Sequence, residues 1–262
     1  MTEQRIVVVT GGGNGIGAAT ARHFAAAGER VVVADIDEAA GNSVADEIVA
    51  AGGAGRFVAL DVTSEDAIKA AAGAIEGEDG PVDVLVNSAG LLMNAISSRT
   101  IDMAFHDRVW DVNYRGTFLC CRVFGDRMAM RRRGWIVNLG SINSYRALPL
   151  PAYTPGKAAI KSLTEILAAE LGRYKVRVNA VAPGYTLTPN LKARIAAGDR
   201  DQAGMEATAA LGEVVLPEDI ADGIAFLCSD QAKRITGVTL PIDAGWLASV
   251  TYLTYPAEVE GI

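Results

Sequence analysis

Ile6-Val7-Val8-Val9-Thr10-Gly11-Gly12-Gly13-Asn14-Gly15-Ile16-Gly17 is the stretch that decides the fold. Four apolar β-branched residues in a row carry no polar alternation, which suits a strand buried on both faces. The glycines then deliver the chain to an Ala-rich helix beginning near Ile16. Gly11, Gly15 and Gly17 keep a T-G-x3-G-x-G spacing, and positions without side chains let the backbone turn tightly against a pyrophosphate at the positive end of the helix. With a strand before it and a helix after it, the loop reads as a dinucleotide-binding turn. Its candidate contacts are Gly11, Asn14, Gly15, Ile16 and Gly17.

Outward from this loop the pattern repeats. Short β-branched runs (Ile6–Val9, Val31–Val33, Phe57–Leu60, Val84–Val86, Trp135–Leu139, Val176–Val181, Val238–Ile242) alternate with helical stretches at Ile16–Ala27, Ala39–Ala51, Glu65–Ile75, Asp102–Met130, Tyr153–Arg173 and Glu218–Leu227. Parallel strands joined by right-handed helical crossovers follow, giving an α/β fold with one doubly wound, Rossmann-type parallel sheet of about seven strands. No linker or internal repeat divides the chain, so residues 1–246 are expected to form a single Rossmann-type domain. Thr186 to Leu216 is the least patterned segment; a connection this long is either a substrate lid or a disordered loop, and the lid is the preferred reading.

Strand ends at the carboxyl edge of such a sheet carry the ligand contacts. Asp35 closes the second strand, where an acid accepts hydrogen bonds from the adenosine ribose and repels a 2′-phosphate. No Lys or Arg stands in the glycine loop, and Ile36-Asp37 follows, so NAD rather than NADP is the expected cofactor. Asp61-Val62 after strand three suits either an adenine contact or a helix-capping turn before Ser64. Asn87-Ser88-Ala89-Gly90 ends strand four at the same edge.

Composition sets the outer bounds. Of 262 residues, 50% are hydrophobic and 21% charged, enough apolar content for a substantial core. Lys+Arg 24 against Asp+Glu 31 gives a net charge of −7; with no basic stripe, nucleic acid is excluded as an expected partner. The start runs from Met1-Thr2-Glu3-Gln4-Arg5 directly into the first strand with no signal-peptide layout, and no apolar run reaches membrane-spanning length. A cytoplasmic protein is expected. The cysteines read as reduced and buried, and His23 and His106, on separate helices, offer no metal site.

Taken together, the motifs resemble those of the short-chain dehydrogenase/reductase family, and the likeness runs from Thr10 to about Trp246. The glycine loop resembles the family's cofactor loop, and Asn87-Ser88-Ala89-Gly90 its N-N-A-G strand end with Ser88 in place of the second Asn. Asn113, Ser141, Tyr153 and Lys157 resemble the family's catalytic set; Pro183-Gly184 with Thr188, and Asp243-Ala244-Gly245-Trp246, match further landmarks. Tyr153 and Lys157 stand four apart on a helix and so share a face. The resemblance implies that Tyr153 is the acid/base, that Ser141 holds the substrate oxygen, and that Lys157 lowers the phenol's pKa and binds the nicotinamide ribose. It implies that Asn113 interrupts its helix and holds a relay water, and that Thr188, with the Thr186 backbone, contacts the nicotinamide carboxamide. The interval from Ser141 to Tyr153 is about one residue shorter than usual, and Pro149 and Pro151 within it point to a reshaped loop.

The function expected is oxidation of a secondary alcohol by NAD. The opposite direction, carbonyl reduction including that of carrier-bound acyl chains, uses identical residues, and a non-catalytic dinucleotide sensor on this fold is the rival from another class. Leu91, Leu92, Met93, Ser141, Asn143, Arg146, Tyr185 and Asn190 are the expected substrate-side residues. Asn143 and Arg146 favour a sugar, polyol or other polar alcohol, unless they form a solvent-exposed turn. Arg131-Arg132-Arg133-Gly134 reads either as a helix end capped by Gly134 or as a carrier-docking patch. A homotetramer is expected from the resemblance and from Phe118, Leu119, Cys120, Val123 and Phe124, more apolar surface than one sheet-facing stripe requires. The tail, residues 247–262, is expected to dock at a subunit interface, the alternative being a frayed terminus.

Overall fold

A computed structural model describes residues 4–250. Seven parallel strands, β1 (Ile6–Thr10), β2 (Arg30–Asp35), β3 (Ala54–Ala59), β4 (Val82–Asn87), β5 (Gly134–Leu139), β6 (Val176–Pro183) and β7 (Thr239–Ile242), form one sheet in the order β3-β2-β1-β4-β5-β6-β7. The order reverses between β1 and β4, and that switch point opens a crevice at the carboxyl ends of the strands. The expected doubly wound sheet is therefore present.

The unbroken Val runs are explained by the two cores they feed. Val8, Val32, Leu85, Ile136 and Val178 point to one face, which is covered by α3 (Glu65–Glu78), α5 (Thr117–Arg131) and α6 (Tyr153–Gly172). Their neighbours Val7, Val9, Val31, Val33, Val84, Val86 and Val137 point to the other, under α1 (Gly15–Ala26), α2 (Glu38–Ala50) and α9 (Pro217–Leu227). With side chains alternating between faces, a strand buried twice has no polar position to spare.

Three expectations change in detail. The helix expected over Asp102–Met130 is two helices, α4 (Met103–Trp110) and α5, joined by a π-helical turn over Asp111–Gly116 that contains Asn113, where the resemblance implied an interruption. A hydrophobic pattern does not register one such turn, because both flanks keep their apolar faces. The segment from 186 to 216 contains α7 (Pro189–Ala196) and α8 (Gln202–Thr208), the former capped by Thr188, whose hydroxyl accepts the Leu191 N–H. The apolar surplus on α5 is mostly internal: Leu119, Cys120, Val123 and Phe124 are buried within the subunit and only Phe118, 37% exposed, faces outward. The last element among the described residues is α10 (Trp246–Ser249); residues 251–262, most of the tail for which docking is expected, lie outside the described residues.

Candidate active site

One cleft of about 760 Å³ runs along the carboxyl edge of the sheet from β2 to α7 and the residues before α8. Its adenosine arm is built from the glycine loop. A Cβ on Gly17 would stand 2.0 Å from the Gly11 carbonyl oxygen, and one on Gly11, which holds φ +64°, would stand 2.7 Å from Ala89 Cα. Only side-chain-free residues let α1 pack onto the loop and the loop onto the end of β4. Asn14, the N-cap of α1, makes no side-chain capping bond. Asn14, Gly15 and Ile16 line the cleft at this helix start, where first-turn N–H groups have no intrahelical partner and can bind an anion.

Asp35 closes this arm. Its Oδ2 accepts the Gly13 N–H at 2.9 Å and its Oδ1 the Asp37 N–H at 3.0 Å, which fixes the carboxylate at the rim of the cleft with lone pairs left for ribose hydroxyls. Asp61 lines the same arm and also makes a turn, accepting from Thr63 N and Thr63 Oγ1 at 2.9 and 2.8 Å, while Ser64 caps α3. Val62, Ala89 and Gly90 complete the walls. The residues present fit a nicotinamide dinucleotide: a helix end for the pyrophosphate, an acid for the ribose and an elongated crevice between them.

The chemical end lies where β5 meets α6. Tyr153 and Lys157 stand one turn apart on α6, with the Lys157 ammonium 5.4 Å from the Tyr153 ring centroid. Lys157 is buried and donates to the Leu139 carbonyl at 2.6 Å. Burial pushes the Lys157 pKa down to about 8 and the Tyr153 phenol up to about 12, the latter opposed by a hydrogen bond with Ser141. Ser141, two residues past the end of β5, caps a short 3-10 turn over Ile142–Ser144. Its Oγ accepts the Asn143 N–H at 3.2 Å and donates to Asn143 Oδ1 at 3.1 Å, and Asn143 in turn donates to Thr154 Oγ1 at 2.6 Å. Asn143 therefore touches the cleft but spends its amide on holding Ser141 and α6 in register. Pro183, Gly184, Tyr185, Thr186, Thr188 and Asn190 line the far wall; Thr188 Cγ2 is 3.3 Å from the place a Cβ of Gly15 would occupy.

Four expected site residues do not line the cleft. Gly17 lies under the loop as packing. Asn87 is buried beneath it, donating to Asn138 Oδ1 at 2.9 Å in a network that continues from Asn138 to Thr164 at 3.0 Å. Asn113 sits in the π turn with its side chain clamped on the Leu91 backbone, accepting from Leu91 N at 2.6 Å and donating to Leu91 O at 2.9 Å; it positions the loop after β4 and makes no direct bond to Lys157. Arg146 is exposed on the turn after Ser144, outside the cleft. The polar groups missed from the sequence are Arg108 on α4, Arg194 on α7 and Arg200 before α8, all of which line the cleft. They occur on α4, on α7 and just before α8, elements whose distances from the site cannot be read from spacing.

Comparison with known proteins agrees with this architecture. A family model described as enoyl-(acyl carrier protein) reductase matches residues 11–247. The short-chain reductase protein NovJ of Streptomyces niveus is 36% identical over 94% of this chain and 95% of its own. The cis-4-hydroxycyclohexanecarboxylate dehydrogenase of Sinomonas cyclohexanicum is 38% identical over 94% and 97%. A solved structure from Brucella melitensis that carries the name ribose-5-phosphate isomerase is 42% identical, covers 96% of each chain and superposes with a TM-score of 0.91. The chain belongs to the short-chain dehydrogenase/reductase family and is an oxidoreductase that works with a nicotinamide dinucleotide on small molecules.

Proposed function

We propose that this enzyme oxidises a polar secondary alcohol to the carbonyl compound with NAD as hydride acceptor and Tyr153 as general base. The observation that carries the reading is the convergence of Tyr153, Lys157 and Ser141 at the inner end of a cleft whose other end is closed by Asp35. A nicotinamide held at this end of the cleft would supply the hydride acceptor for the carbinol carbon. Ser141 holds the substrate oxygen, Tyr153 accepts its proton, and the Lys157 ammonium favours the phenolate that burial alone disfavours. Asn113 keeps the Leu91 loop in place over the reacting carbon.

Asp35 and the lack of any cation on the adenosine arm support NAD over NADP, and NAD in turn favours oxidation over reduction. An isomerase reading, which the name of the Brucella structure would suggest, leaves the glycine loop and Asp35 without employment. Carrier docking at Arg131–Arg133 is disfavoured because Arg131 pairs with Glu76 at 2.7 Å and Arg133 with Asp83 at 3.0 Å. The same reading takes the chain as a cytoplasmic homotetramer. No described helix is long and apolar enough to cross a membrane, and exposed Met103, Phe105, Phe118 and Ile166 leave α4, α5 and α6 with apolar surface for a neighbouring subunit.

A screen of NAD and NADP reduction over sugars, polyols, cyclic alcohols and hydroxy acids at mildly alkaline pH tests the function. Turnover with NAD at least tenfold more efficient than with NADP is expected; activity with NADP alone would overturn the assignment of Asp35.

A further inference from the structure

The substrate arm of the cleft has a charge pattern that alcohol oxidation does not require. The acids lining the whole cleft are Asp35 and Asp61, both on the adenosine arm. The substrate arm is lined instead by three guanidinium groups, Arg108, Arg194 and Arg200, with no carboxylate facing them. Among the described residues none of the three forms an ion pair, although the surface cations of this protein commonly do, as Arg22 with Glu47 and Arg127 with Glu76 illustrate. Arg200 is the most telling of the three. Asp199 and Asp201 flank it in sequence yet make no ion pair with it, and its Nε is shielded from solvent without a hydrogen-bond partner. A guanidinium N–H withdrawn from water and left unbonded is costly unless a ligand completes it. Arg194 meets only a neutral group, the Asn94 side-chain oxygen, in a contact that ties α7 to the loop after β4.

Along with these cations the cleft is lined by a group of apolar side chains: Leu91, Leu92, Met93, Leu148, Pro149 and Leu150. A sugar or polyol would set hydroxyls against this belt with little to bond them. We infer that the substrate is a hydroxy acid: a secondary alcohol carried on an apolar body whose far end bears an anionic oxygen group, carboxylate or phosphate ester, held by Arg200 and Arg194 with Arg108 at the rim. Guanidinium pairs are suited to such groups through two parallel N–H bonds. The inference rests on the proposed dehydrogenase reading for the placement of the alcohol at Tyr153; the anion site itself is read from the arginines.

The test separates the two. Binding of hexanoate, hexanamide and hexyl phosphate to the NADH-saturated protein is measured by calorimetry, none of these having an alcohol to oxidise. Hexanoate or hexyl phosphate is expected to bind at least tenfold tighter than hexanamide, and whichever anion binds more tightly names the source. Arg200→Gln is expected to abolish the preference and Arg200→Lys, which keeps the charge, to retain part of it. In turnover, 5-hydroxyhexanoate is then expected to exceed 5-hydroxyhexanamide by a similar factor in kcat/KM. Equal binding of hexanoate, hexyl phosphate and hexanamide to the wild type would overturn the anion site, whatever the variants do, as would a preference surviving unchanged in Arg194→Gln/Arg200→Gln. Tight anion binding without turnover of any alcohol would uphold the site and contradict the dehydrogenase reading instead.

Discussion

Lys157 shows what the site costs the fold. Its pKa falls from an ordinary 10.5 to about 8 because the ammonium is removed from water. A folded value below the unfolded one means that the folded chain holds its proton less firmly. The penalty is therefore complete below about pH 8 and fades as pH rises toward 10.5. Lys157→Met, which keeps the volume and removes the charge, is accordingly expected to stabilise the protein by on the order of 2–3 kcal/mol at neutral pH. The gain should shrink in denaturant titrations repeated at alkaline pH. The same variant should lose activity and shift the ascending limb of its rate profile to higher pH, because the Tyr153 phenol, already pushed up to about 12 by burial, loses its cationic neighbour. A variant both less stable and unchanged in pH profile would show that Lys157 serves packing alone. Asp35→Ala should weaken NAD binding roughly ten- to hundredfold, the worth of charged hydrogen bonds of about 1.5–3 kcal/mol, and equilibrium titration with NAD measures it directly.

The π turn at Asp111–Gly116 leaves no mark in the hydrophobic pattern, and only the resemblance pointed to a break at Asn113. It turns the Asn113 side chain inward, where both of its polar atoms bond the Leu91 backbone, and Thr117 Oγ1 covers the Asn113 carbonyl at 2.8 Å. Asn113→Leu should leave two backbone groups of Leu91 without partners and release the loop that walls the substrate arm. The expected signature is a rise in KM of tenfold or more with NAD affinity nearly preserved; equal damage to both would show that Asn113 does not act through the substrate-side loop. Much of the cofactor arm could be read from sequence because its elements are consecutive: β1, the glycine loop and α1 adjoin, and Asp35 ends the very next strand. The substrate arm could not, since Arg108, Arg194 and Arg200 come from three separate elements brought together only by tertiary packing. Arg146 misled for the complementary reason, being near Ser141 in sequence but turned out to solvent. The end of α5 offers a further contrast. The left-handed C-cap is Arg132, at φ +56°, not Gly134, which opens β5 and is small because a Cβ there would lie 2.5 Å from Met128 Sδ.

At the scale of the whole molecule, the doubly buried sheet was legible because its two cores demand unbroken apolar strands, a pattern that few other folds require. Assembly was less so. The α5 residues that suggested a subunit contact are mostly spent within the subunit, and the exposed apolar side chains that remain are spread over α4, α5 and α6. A homotetramer is expected in sedimentation at micromolar concentration; a stable 27.4 kDa monomer would exclude it.

The central claim is that Tyr153 moves the proton while Asp35 and the glycine loop hold the cofactor. Tyr153→Phe removes the transferable proton and little else, and its NAD affinity and turnover should be measured together on the best alcohol found for the wild type. NAD binding within about twofold of the wild type, with kcat lowered by at least the roughly 10²–10⁴ of general acid/base catalysis, is the predicted result. Near-normal turnover in Tyr153→Phe would contradict it.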